Sequence, residues 1–157
     1  LAIKEGLKGV YFISILQDQP IFDPNLFGHN AITICNQTKI SQNDISYNEN
    51  VKTYFFENIM KNFIEDVPEN IKYFPCIIPN WDNTPRCGLN GIVLQNSTPD
   101  LFKKQIIQAL DKIKNSANDE KIIFIKSWNE WAEGNYLEPD QKHGRAYLEV
   151  IKNEIFK

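Results

Sequence analysis

Four short apolar runs constrain this chain more than any other feature. Residues 10–16 (VYFISIL), 31–35 (AITIC), 73–78 (YFPCII) and 121–126 (KIIFIK) read as strands, rich in β-branched and aromatic side chains. The third is apolar throughout, as a strand covered on both faces would be. Segments of other character separate them. Asp18 to Asn30 is rich in Asp, Asn, Pro and Gly, hence loop. Val51, Phe55, Ile59 and Phe63 recur every four residues, which predicts one face of an amphipathic helix. A second helix should start with Ser97 or Thr98 as N-cap and Pro99 in its first turn, turning Phe102, Ile106, Ala109, Leu110 and Ile113 inward. A last helix over 145–156 should bury Tyr147, Val150 and Ile151. Roughly four strands alternating with helices is the pattern of an α/β protein with a parallel sheet.

At 157 residues the chain suits a single domain over 1–157, with no linker or repeat in view. Leu1 to Gly6 reads like the middle of a helix, with neither an initiator Met nor a signal peptide, so a piece of something longer is expected. A formal net charge of −3 argues against nucleic acid as a partner. No apolar run approaches the ~20 residues of a membrane span. Cys35, Cys76 and Cys87 form no CxxC pair and are odd in number, which argues against a disulfide framework or a zinc site. A reducing, cytoplasmic setting with buried or inert thiols is expected. Asn36 and Asn96 head chance N-x-[ST] triplets, and His29 and His143 are single histidines without ligand spacing. Neither metal nor cofactor is therefore expected.

In folds of this class the functional loops follow the carboxyl ends of the strands. Two loops there share one composition: 79–86 (PNWDNTPR) and 127–140 (SWNEWAEGNYLEPD). Glu130 and Glu133 lie three residues apart, so a helical turn would place their Cβ atoms about 5–6 Å apart on one face. Carboxyl groups at roughly 5–5.5 Å suit retaining glycoside chemistry. One can be held protonated beside an ionised neighbour. Trp128, Trp131 and Tyr136 offer flat faces for sugar rings, with Asn129 and Asn135 to bond hydroxyls. Trp81, Asp82, Asn83 and Arg86 repeat the mixture. The plain alternative is that the acids cap a helix and the indoles plug one end of the sheet. Glu138, Pro139 and Asp140 suit shaping the loop better than reacting.

"WNEWAEGNYLEPD", followed by Gly144 and Ala146-Tyr147-Leu148, resembles the signature of the WbsX family of glycosyltransferases. "WDNTPR" with "STPDLF" after it resembles that family's second motif, and the likeness runs from about Tyr73 to the C-terminus. The chain departs at His143, where the family carries an aromatic, and at Asn80, where glycine is commoner. That family is similar in turn to glycoside hydrolase family 99, retaining endo-acting α-mannosidases on a (β/α)8 barrel. The resemblance implies the C-terminal part of such a TIM-like barrel, since a whole one takes ~250 residues. It implies Glu130 as the base that deprotonates the sugar's own 2-hydroxyl, and Glu133 as general acid/base at the glycosidic oxygen. It implies a carbohydrate-active enzyme domain, hydrolase-like or transferring, with surface-polysaccharide or O-antigen (lipopolysaccharide) glycans as substrate. A non-catalytic glycan-binding or scaffold fragment is the other reading. A half-barrel leaves strand edges and apolar faces open, which favours self-association.

Overall fold

The computed structural model describes residues 1–35, 46–48 and 51–156, so the Asn36 triplet lies outside the described residues. In chain order the strands and helices are β1 (Ile13–Leu16), β2 (Ala31–Ile34), β3 (Ser46–Asn48), β4 (Val51–Phe55), α1 (Phe56–Ile59), β5 (Tyr73–Phe74), β6 (Cys76–Ile77), β7 (Trp81–Asp82), α2 (Thr84–Cys87), β8 (Ile92–Gln95), α3 (Pro99–Ile113), β9 (Phe124–Ile125), β10 (Asn129–Glu130), β11 (Asn135–Tyr136) and α4 (Ala146–Ile155). The first residues form a 3-10 turn, Ala2–Glu5, closed by Gly6 in the left-handed region.

The four expected strands are present and all pair in parallel. β1 lies against β2, β2 against β5, and β6 against β9. β5 and β6 are two halves of one apolar run, split at Pro75, which has no N–H to give to a ladder. The order therefore follows the sequence without reversal, β1-β2-β5 and then β6-β9. No closed barrel forms among the described residues. The run 121–126 is regular only at Phe124–Ile125, because Lys121 to Ile123 make no ladder partner.

The helix expected from Val51, Phe55, Ile59 and Phe63 is corrected. Its first half is strand β4, and only Phe56–Ile59 and a following 3-10 turn are helical. Val51, Thr53, Tyr54 and Phe55 fit a pleated surface, and β4 finds a parallel partner in β8, which the sequence reading did not identify. β3 and β7 flank this pair, each antiparallel to its neighbour. The small mixed sheet covers a core of Tyr54, Phe56, Ile59, Met60, Phe63, Ile78, Trp81 and Leu94.

α3 follows the sequence closely. The Thr98 side chain accepts from Leu101 N, Pro99 opens the helix, and Phe102, Ile106, Ala109 and Ile113 are buried, with Leu110 half-buried. The face packs on Ile77, Leu137 and Tyr147; in α4 Tyr147 is buried, while Val150 and Ile151 are half-buried. Gln105, wholly buried in α3, clasps the residue after β6: its Nε2 donates to Ile78 O at 2.9 Å and its Oε1 accepts from Ile78 N at 3.3 Å. That clasp fixes the point where residues 79–86 leave the sheet.

Candidate functional site

β6 and β9 are parallel neighbours, so the chains leaving Ile77 and Ile125 emerge at the same edge. After β6 the chain forms β7 and then α2. Asp82 Oδ1 accepts from Thr84 N at 3.0 Å and from Thr84 Oγ1 at 2.6 Å, and Asn83 Oδ1 accepts from Ile92 N at 2.6 Å. These bonds start the short helix and present Arg86 outward from it. After β9 the chain passes a cis Lys126–Ser127 peptide. It then makes the hairpin β10–β11 around a 3-10 turn, Trp131–Glu133. Glu130 ends β10 just before that turn and Glu133 is its last residue, and both side chains reach Arg86.

The two turns meet on Arg86. Its Nη1 donates to Glu133 Oε1 at 2.7 Å and its Nη2 to Glu130 Oε1 at 3.0 Å. A planar guanidinium with a fixed fork of donors suits such a bridge. It stands between carboxylates that would otherwise repel. Glu133 is the more enclosed of the two, its side chain 17% exposed against 39% for Glu130, and Lys126 Nζ lies 3.7 Å from its other oxygen. Gly134 makes the approach feasible: at φ +53, a Cβ there would stand 2.9 Å from Asp82 N.

Around the acids, Trp131 and Tyr136 stack on each other with centroids 3.7 Å apart, and Trp131 Nε1 donates to Glu138 Oε2 at 2.6 Å. Trp128 and Asn129 are exposed beside them. Other expected contact residues turn inward. Asn135 is wholly buried, its Oδ1 accepting from Ser127 N at 3.1 Å and its carbonyl from Ser127 Oγ at 2.8 Å. Asn135, Asp82 and Asn83 thus brace the loops, their side-chain oxygens already engaged within the chain. Trp81 is buried too. Lys126 Nζ stands 4.8 Å from its ring centroid, an amino group over an aromatic face.

Behind Gly134 lies a cavity of about 270 Å³ lined by residues including Asn80, Trp81, Tyr136, Asp140, His143 and Tyr147. Trp81 Nε1 is buried and has no hydrogen-bond partner among the described residues. Burial and the nearby Asp140 push the Tyr136 phenol up from its ordinary value. Burial, with a smaller push from Asp140, raises Tyr147 to about 12 against the pull of Ser97. Both stay neutral hydroxyls at physiological pH. Among the described residues no three His, Cys, Asp or Glu side chains gather as metal ligands, and no helix is long and apolar enough to cross a membrane.

The sequence model of glycosyltransferase WbsX matches residues 1–151. The chain belongs to the WbsX glycosyltransferase family. Two curated relatives, each described as uncharacterized protein WxcX and from two strains of Xanthomonas campestris pv. campestris, are 31% identical over 83 residues. That alignment covers 52% of this chain and 12% of each relative, so the chain spans a small part of their length. A solved structure described as a glycoside hydrolase-like protein superposes with a TM-score of 0.63 at 16% identity. It matches 97% of this chain and 46% of that one, which shows a shared fold.

In this WbsX chain the sequence reading missed Lys126, Ser127 and Asn80. Lys126 and Ser127 sit at the carboxyl end of β9, the position where this class of fold puts chemistry, and that was the available signal. Asn80 stands where the family more often has glycine, and its Oδ1 accepts from Tyr136 N at 3.2 Å, tying one loop to the other.

Proposed function

We propose that this chain is the C-terminal half of a glycoside hydrolase-like (β/α)8 barrel, folding as one domain. It carries the acid/base pair of a carbohydrate-active enzyme acting on surface-polysaccharide or O-antigen glycans. The observation that carries the reading is Arg86 holding Glu130 and Glu133 together at the carboxyl end of two parallel strands. Membership of the family and the hydrolase-like fold support it. In this reading the stacked Trp131 and Tyr136 wall one side of the cleft, and the exposed Trp128 offers a further sugar platform.

Once substrate entry draws Arg86 away, Glu133 takes up a proton and gives it to the departing glycosidic oxygen, and Glu130 takes the proton of the neighbouring 2-hydroxyl, whose oxygen closes on the anomeric carbon. Arg86 orients both carboxyl groups, and substrate entry shifts its bonds. Water or a second sugar hydroxyl opens the anhydro ring, giving hydrolysis or transfer. The same exposed aromatics would also serve a glycan-binding module without turnover, so the acids discriminate. In the full-length protein, Glu133→Gln and Glu130→Gln should each cost at least ~100-fold in turnover, the scale of a lost general acid or base, with glycan binding kept. Wild-type rates in both variants would leave the binding module as the function.

A further inference from the structure

Two cysteines stand next to this site and take no part in the proposed chemistry. β2 pairs with β5 in the register Ile32↔Tyr73 and Thr33↔Phe74. Two residues further along each chain lie Cys35 and Cys76, and their sulfurs are 3.3 Å apart. Cys35 follows the end of β2 and Cys76 opens β6, so the two sulfurs meet just past the end of the β2–β5 ladder. Cys35 is half-buried and Cys76 buried.

We infer that Cys35 and Cys76 are a redox modification site, a thiol pair that hydrogen peroxide closes into a disulfide beside the Lys126–Glu133 ion pair. The charges are already distributed for it. The Cys76 thiol bonds to the Cys35 sulfur and, with help from the Lys126 cation and against burial, brings Cys35 down to about 7. The same bond, followed by burial, pushes Cys76 well up. Of the two, Cys35 is therefore the sulfur that loses its proton more readily. A thiolate held beside a cation and open to reagents is what makes a cysteine reactive.

The balance is closed by the peroxide alone. Cys35 Sγ attacks one peroxide oxygen, the O–O bond breaks, and hydroxide leaves, taking up a proton as water; Cys35 becomes a sulfenic acid. Cys76 Sγ then attacks Cys35 Sγ, the S–S bond forms, and a second water departs with the Cys76 proton. Two thiols lose two electrons, and one peroxide is reduced to two waters. A small dithiol reverses the change by exchange. Oxidation also removes the Cys35 anion that Lys126 faces, leaving that ammonium to Glu133 and the Trp81 ring.

The test uses the chain with the exposed Cys87 changed to Ser, treated with hydrogen peroxide, alkylated and weighed by mass spectrometry. The expected product has lost two hydrogens and both alkylation sites, and dithiothreitol restores both. In Cys76→Ser, Cys35 should instead stop at a sulfenic acid that dimedone captures. Lys126→Met should slow the peroxide step several-fold at pH 7 and leave the final cross-link unchanged. Two alkylatable thiols after peroxide, or Cys35 oxidised without linkage in the Cys87→Ser chain, would overturn the inference. An unaltered rate in Lys126→Met would remove Lys126 from it.

Discussion

In residues 79–86, Asp82 and Asn83 turn their oxygens onto nearby backbone, whereas in residues 127–140 Glu130 and Glu133 turn theirs outward onto Arg86. Both loops leave neighbouring parallel strands at the same edge, and both mix Trp, Asn and acid. The difference is reach. Asp82 is short and closes its own turn by accepting from the N–H two residues on, and Asn83 reaches no further than the backbone of the adjacent Ile92. Glu and Arg carry extra methylenes and can cross the gap between loops. The first loop is thus largely a brace that delivers one long cation, and the second largely the surface that receives it. Composition alone made the loops look like two copies of one sugar subsite. Hydrogen-bond geometry separates them.

Substitutions that attack the braces should cost stability, and those that attack the outward groups should cost function at little loss of fold. Gly134→Ala is the most severe case, because its Cβ would press on Asp82 in a positive-φ conformation. It should lose about 2–4 kcal/mol in denaturant unfolding, an overpacking cost added to a backbone one. Asn135→Ala strands the Ser127 N–H inside the loop and should lose about 1–3 kcal/mol by the same measurement. Asp82→Ala removes the oxygen that starts α2 and should cost about 0.5–2 kcal/mol, as for a lost N-cap. It should also loosen Arg86, read as weaker protection of the α2 amides in hydrogen exchange. Arg86→Gln should shift stability by no more than about 1 kcal/mol, since its ion pairs are solvent-screened. Glycan binding measured by calorimetry should nevertheless fall. If Arg86→Gln unfolded the chain and Asn135→Ala did not, the division between brace and working surface would be reversed.

The parallel strands were legible because uninterrupted apolar runs such as Tyr73 to Ile78 report burial on both faces. α3 was legible because Thr98 and Pro99 mark its start and Phe102, Ile106 and Ala109 mark its face. Val51 to Phe55 was not, since a spacing of four in β-branched and aromatic residues fits a helix on paper. Pairing with Ser46 to Asn48 on one side and the distant Ile92 to Gln95 on the other makes it a strand. At the site, residue type and loop position single out Glu130, Glu133 and Arg86, and the fold brings those three side chains into contact. The burial of Asn135 was not legible, because nothing in the residues around it says which way a loop amide turns. The Cys35–Cys76 contact was invisible for a simpler reason. Register between strands decides it, and 41 residues separate the two sulfurs.

The tryptophans also give the chain an optical signature. Trp81 is enclosed beneath an ammonium, Trp128 is open to solvent, and Trp131 lies face to face with Tyr136. Tyr136 is close enough to pass its excitation to Trp131, and two rings stacked at that distance couple their transitions and give a paired near-ultraviolet circular dichroism band. A sugar that slides between or beside those rings would change that band before any bond is broken. The loop therefore holds its own label-free reporter of occupancy, one that a Trp131→Phe chain would lack.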